Sequence, residues 1–181
     1  MPHSMSVPLF NYADSNFIVH HTVSENFEDP YTRLHMHTMY ELYCFLDGEG
    51  VFTVEGNIYK LESGMLLLIR PGEAHSAKIV STSRYERIAV HFTPSFLEND
   101  CIREMLHAFE TSKNSSNHCF FCNDESAYPF KLLREITNPK LISDHNACKL
   151  ALLTNLPALL YSLSENCSHN VSVDGTSHDR L

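Results

Sequence analysis

Between residues 31 and 93 the chain is cut into strand-sized runs by turns about 8–12 residues apart, and this rhythm constrains the fold most. Arg33 to Leu46 reads as one long strand, closed by Asp47-Gly48-Glu49-Gly50. Val51–Val54 and Ile58–Leu61 flank Glu55-Gly56-Asn57, a hairpin signal. Two further turns, Glu62-Ser63-Gly64 and Arg70-Pro71-Gly72-Glu73, bracket the apolar run Met65–Ile69. Ala77–Val80 and Tyr85–Phe92 complete the set, and Phe17–His20 adds a short strand ahead of it. Many short strands with glycine-containing turns predict a sandwich or a barrel.

After Pro94 the period changes from two to that of a helix. Phe96–Glu110 carries apolar residues at helical spacing, with Pro94 and Ser95 at a natural start. Thr111–Asn117 reads as a polar loop, His118–Cys122 as a strand and Lys131–Thr137 as a short helix. Ser143-Asp144 is placed to cap a long helix, Asp144 to Leu163. Ala147, Leu150, Ala151, Thr154, Pro157, Leu160 and Tyr161 form its apolar stripe, which Leu153, Leu156 and Leu163 widen. Pro157 predicts a kink, because its ring clashes with the preceding turn and it lacks a backbone donor. So broad a face needs cover from the barrel and from a second subunit. The expected division is an arm over 1–14, a barrel over 15–93, a helical, dimerising region with one extra strand over 94–164, and a linker-like tail over 165–181.

The 181 residues carry a net charge of −9, so these residues do not supply the clustered cations that phosphate binding needs. The longest uninterrupted apolar run, Met65–Ile69, is far short of the roughly 20 residues of a spanning helix, and the N-terminus lacks a signal-peptide pattern. No membrane association is expected. The six cysteines then read as reduced thiols of a cytoplasmic protein. Cys119-Phe-Phe-Cys122 reads as small residues around a phenylalanine pair rather than as a zinc or redox motif.

Of the twelve histidines, a few are placed rather than scattered. His35, His37 and Glu41 are all odd positions of the expected strand and so share one face, with Tyr43 beside them. His75 follows the Pro71-Gly72 turn from another strand. Three imidazoles and a carboxylate converging inside a barrel suit a first-row divalent metal (Zn, Ni, Fe or Mn). The alternative is a set of polar residues without metal. In either case a buried Glu41 is costly to ionise without a partner, whether metal, histidine or ligand. Arg33, Tyr43, Arg70 and His91 are candidates to contact a ligand in the barrel, Arg being suited to carboxylate or hydroxyl-rich groups. Arg87 belongs to the same group of residues whose facing the sequence leaves open.

His35-x-His37, Glu41 and Gly48 at their spacing resemble the first motif of the cupin superfamily. Gly64, Arg70-Pro71-Gly72 and His75 resemble the second, with Arg70 and Ile79 where cupins commonly have Pro and Asn. The resemblance implies a mainly β fold: a cupin-type, double-stranded β-helix barrel followed by C-terminal α-helices. More narrowly, Tyr40-Glu41-Leu42, Gly48-x-Gly50, Leu61-x-x-Gly64-Met-Leu-Leu-Leu-Ile and Pro71-Gly72-Glu73-x-His75-Ser76 resemble the sensor domain of AraC-type transcriptional regulators, over roughly 15–165. That resemblance implies a small-molecule effector, a sugar or other metabolite, and a homodimer through Asp144–Leu163. It also implies DNA contact only through a helix-turn-helix part that would lie beyond Leu181. It implies no catalytic residue. The rival expectations are a metal-dependent cupin enzyme of the isomerase or dioxygenase class, using His35, His37, Glu41 and His75 as ligands, and a carbohydrate-binding module without regulation.

Overall fold

The structure is a computed structural model that describes residues 5–25, 33–80, 84–97, 100–115, 118–121 and 127–170. Among the described residues nine strands form two sheets: β1 (Met5–Ala13), β2 (Phe17–Glu25), β3 (Tyr40–Asp47), β4 (Gly50–Val54), β5 (Asn57–Lys60), β6 (Met65–Ile69), β7 (His75–Ile79), β8 (Arg84–Phe92) and β9 (Cys119–Phe121). The larger sheet runs β1-β2-β8-β3-β6-β9 and the smaller β5-β4-β7. Four helices follow or interleave: α1 (Ile102–Met105), α2 (His107–Ser115), α3 (Tyr128–Ile136) and α4 (His145–Asn170). The fold is mainly β, two sheets packed face to face with C-terminal helices, the arrangement that the cupin resemblance implies.

Period-two alternation gives the larger sheet two buried faces. Leu42, Cys44, Leu66, Leu68, Ile88, Val90 and Phe92 point outward into a core roofed by the helices. Tyr43, Phe45, Leu67, Ile69 and Tyr85 point inward, against Phe52, Val54, Ala77 and Ile79 of the smaller sheet. The expected hairpin forms with Glu55 and Gly56 both at positive φ, the two-residue turn whose twist matches the strands it joins. At Gly50 a Cβ would stand 2.5 Å from the Lys78 carbonyl oxygen, so the approach of β4 to β7 requires glycine there.

Outside the histidine region the structure departs from the expected segments in four places. Residues 5–13, expected as part of an arm, form an edge strand paired along β2, with a register shift between Pro8 and Phe10. A proline is tolerated there because an edge strand leaves its outer donors unpaired. Helix α2 reaches Ser115, into the expected loop, and α4 reaches Asn170, into the expected linker. Residues 96–110 are broken into a 3-10 turn at Pro94–Phe96, α1 and α2 rather than one helix. The end of the Cys119-x-x-Cys122 pair and the tail after Asn170 lie outside the described residues.

Helix α4 begins as expected: Asp144 accepts hydrogen bonds from the Asn146 and Ala147 amides at 3.0 and 3.1 Å. Its buried face, however, is Cys148, Leu152, Leu156, Leu159, Leu160 and Leu163. Leu150, Leu153 and Tyr161 of the expected stripe stand exposed on the opposite side. A helix apolar on two sides has no single stripe for spacing to pick out. By length and composition α4 is also apolar enough to cross a membrane, and 39% of its apolar stretch is buried in the fold, where its leucines join the outer core.

Candidate functional site

The histidines gather where an irregular segment, residues 33–39, folds over the end of the larger sheet. The expected single strand from Arg33 to Leu46 is not formed; β3 starts only at Tyr40. An extended strand would hold residues four apart about 13 Å apart, whereas His37 Nε2 lies 2.9 Å from Glu41 Oε2. The convergence therefore depends on the break. Paired amide bonds bridge His35 to His75, 3.1 and 2.9 Å, and the Gly72 amide donates to the His37 carbonyl at 2.8 Å. Gly72, at positive φ, makes the turn that permits this contact.

Glu41 is buried at the centre of the cluster. Around its Oε2 stand His37 Nε2 at 2.9 Å, His75 Nε2 at 3.1 Å and His91 Nε2 at 3.4 Å. Burial opposes ionisation of Glu41, but the bonds from His37, His75 and His91 outweigh it and hold the carboxyl well below its usual range. His75 moves the other way: burial lowers it, and the Glu41 carboxylate with the Glu73 carbonyl raises it further than burial lowers it.

The far nitrogens decide the chemistry. His35 Nδ1, His37 Nδ1 and His75 Nδ1 lie 2.8, 2.8 and 2.9 Å from the carbonyl oxygens of Arg33, Met39 and Glu73. A carbonyl only accepts, so each Nδ1 carries a proton, and each Nε2 is left to the centre, where it donates to Glu41 when protonated and offers a lone pair when not. Lone pairs facing a carboxylate need a proton or a cation between them. The donors fall into two overlapping groups, His35-His37-His75 and His37-Glu41-His91, each with its ligand atoms within 4.8 Å of one another. This nitrogen and oxygen donor set fits a divalent ion of the zinc or iron kind. The four residues expected as ligands are thus brought together in two overlapping groups that share His37, and His91, expected as a ligand contact, stands with Glu41.

An AraC-like ligand-binding domain model matches residues 18–129, well over half of the chain. The chain belongs to the AraC-like ligand-binding domain family. No curated protein matches it. Among solved structures it is similar to the cupin domain of Schizosaccharomyces pombe Cnp3 (14% identity, 52% of this chain, 68% of that one, TM-score 0.43). A cupin with a double-stranded β-helix fold from Methanocaldococcus jannaschii gives 14% identity, 49% and 80% coverage, and TM-score 0.41. A predicted oxalate decarboxylase from Thermotoga maritima gives 26%, 41% and 64%, and 0.37.

The other residues expected at the ligand site of this AraC-like domain are dispersed. Arg33 is exposed. Arg70 is held by Glu73: its amide donates to Oε2 at 2.7 Å and its Nε to Oε1 at 3.0 Å, with a further short contact from Nη2. Tyr43 does face inward, buried, its hydroxyl 2.6 Å from that of Tyr85. Sequence reasoning missed a second buried network around Glu73, where His118 Nε2 lies 3.2 Å from Oε1 and His118 Nδ1 2.9 Å from the Tyr59 hydroxyl. Burial opposes ionisation of Glu73, yet His118 and Arg70 outweigh it and bring its carboxyl down to about 2. That network ties β9 to the barrel, and no local motif signals it because its members come from three separate segments. His20 and Thr22 were missed for the same reason: their facing follows only from pairing of β2 with β8.

Proposed function

We propose that this chain is the effector-sensing and dimerisation domain of a cytoplasmic transcriptional regulator. A small molecule occupies the barrel, α4 pairs with its counterpart in a second copy, and DNA is contacted only through a separate domain. The observation that carries the regulatory half is the second apolar face of α4. Leu150, Leu153 and Tyr161 are 62%, 40% and 50% exposed, opposite the leucines packed into the core. Leu150, Leu153, Pro157 and Tyr161 recur at three- and four-residue steps, the spacing of a helix-pairing seam. At tens of micromolar, light scattering should return twice the 20.7 kDa chain mass. Leu150→Glu with Leu153→Glu should return one chain mass with an unchanged circular-dichroism spectrum. A monomeric parent protein sinks this reading.

The convergence of imidazole Nε2 atoms on Glu41 favours one second reading, a metal-dependent cupin enzyme of the isomerase or dioxygenase class. His37, Glu41 and His91, or His35, His37 and His75, would hold the ion, which would act as a Lewis acid. Metal analysis of the purified protein and of His37→Ala with His75→Ala separates the readings. Metal-dependent turnover favours the enzyme. Retained ligand binding after metal loss favours the sensor.

A further inference from the structure

Among the described residues, the inner face of the larger sheet carries a cation, Arg87, that no carboxylate pairs with. Strand β8 turns Tyr85, Arg87, Ala89 and His91 inward, and antiparallel register extends each position into a row across the sheet. Thr22, Arg87 and Phe45 make one row; His20, Ala89 and Tyr43 the next; Ile18, His91 and Glu41 the third. The half-buried guanidinium of Arg87 lies 5.2 Å from the centre of the Tyr85 ring. Among the described residues no carboxylate comes within ion-pair distance of it, whereas Arg70 has Glu73 and Arg84 has Asp47 and Glu86. Glu41 shares its face but is taken up by three imidazoles.

An arginine does not discharge by losing its proton, so a desolvated guanidinium calls for an anion. Two more polar atoms are left open on the same surface. Thr22 Oγ1, in the row of Arg87, and His91 Nδ1, two rows along, are both buried without a hydrogen-bond partner among the described residues. Between those rows Ala89 presents only a methyl, with His20 and Tyr43 on either side of it. His20, in the middle row, is held below its ordinary value chiefly by burial, with His91 and Arg87 lowering it further and Glu41 opposing them. A neutral hydroxylic ligand would satisfy the threonine and histidine but leave the guanidinium unbalanced.

We infer that the barrel binds a small organic anion, its carboxylate or phosphate held by Arg87 with Thr22 and its body lying over Ala89 between His20 and Tyr43. This rests on the ligand-sensing reading and adds the charge of the ligand. Arg87, rather than Arg33 or Arg70, is the specificity residue.

The test is a matched panel: gluconate against glucose, galacturonate against galactose, and glucose 6-phosphate as the phosphate arm. Thermal midpoints and calorimetric titrations are read on the full chain and on Arg87→Gln. At least one anion should bind, its neutral partner should bind tenfold more weakly or not at all, and Arg87→Gln should remove that preference. Binding by the carboxylates alone or by the phosphate alone identifies the headgroup. Neutral sugars binding as well as the acids, or anion binding unchanged in Arg87→Gln, overturns the anion assignment and leaves the sensor reading standing. Failure of every anion also overturns it, while the sensor reading is judged separately by the dimer mass. Should Arg87→Gln not fold, Arg87→Lys replaces it. Lysine keeps the charge but loses the two-pronged contact, so unchanged affinity would again overturn the assignment.

Discussion

The two faces of the larger sheet are built from the same strands and differ in everything else. The outward positions of β3, β6 and β8 are Leu, Cys, Ile, Val and Phe, closed off by helices. The inward positions of the same strands include Glu41, Tyr43, Arg87 and His91 beside Leu67 and Ile69. An enclosed apolar face gains stability with every side chain it hides. A face that hides a carboxylate, a guanidinium and unpaired polar atoms gives stability up, and such groups mark binding or chemistry. One face holds the molecule together, and the other gives it something to do.

The sharpest way to break that division is to injure each face in turn. Leu68 is fully buried in the outer core, and Leu68→Ala leaves a cavity expected to cost about 2–5 kcal/mol. Chemical denaturation should show that loss while the inner site keeps its chemistry. Glu41→Gln should do the reverse. Zinc affinity, by calorimetry, should fall tenfold or more, about 1.4 kcal/mol, while the thermal midpoint moves less than in Leu68→Ala. If Glu41→Gln unfolds the protein instead, the inner face is structural after all.

Asp14 sits at the joint between the sheet and the helix on its outer side, and its loss should be smaller. It accepts from the Asn16 and Phe17 amides at 2.7 and 2.9 Å and pairs with Lys149 of α4 at 3.3 Å. Burial opposes its ionisation, but these bonds outweigh it and hold the carboxyl below 3.8. A depressed carboxyl stabilises the fold above its unfolded value, and that share is lost as pH falls through the folded value. Asp14→Ala should therefore cost about 1 kcal/mol near neutrality. The gap from the parent should close in acid, below pH 3.8. A gap independent of pH would mean that the charge of Asp14 contributes nothing.

The same division explains what was legible in the sequence. Strand rhythm, the Glu55-Gly56 hairpin and the Asp144 cap are local, so turn chemistry and spacing revealed them. The identities of His37, Glu41 and His75 were legible because their spacing resembles the cupin motifs. The reason they meet was not: parity on one strand was the argument, and a broken strand is the fact. Arg87, His20 and Thr22 were hidden because their common face is set by β2–β8 register, a contact between residues more than sixty positions apart. The barrel-facing side of α4 was not legible because both of its sides are apolar, and only packing shows which one the barrel takes.

The smallest effect expected on the fold is also the finest probe of the division, because each face holds a thiol. Cys44 is buried on the outer face; Cys119 lies opposite Leu67 and packs on the inner cluster. If the inner face were open to water near β9, Cys119 would ionise like a free thiol. Instead burial, followed by Glu62, pushes it up to about 12. At pH 8 its thiolate is then roughly a thousandfold scarcer than that of a free cysteine, and the thiolate is the nucleophile. Iodoacetamide at pH 8, read by peptide mass spectrometry, should label the exposed Cys101 well before Cys44, Cys119 or Cys148. Cys119 reacting at the rate of Cys101 would place water at the β6–β9 edge and confine the dry part of the inner face to the strands around Phe52. Slow labelling of Cys119 would mean that the polar groups of the inner face sit within a dry wall, where an unbalanced charge costs most.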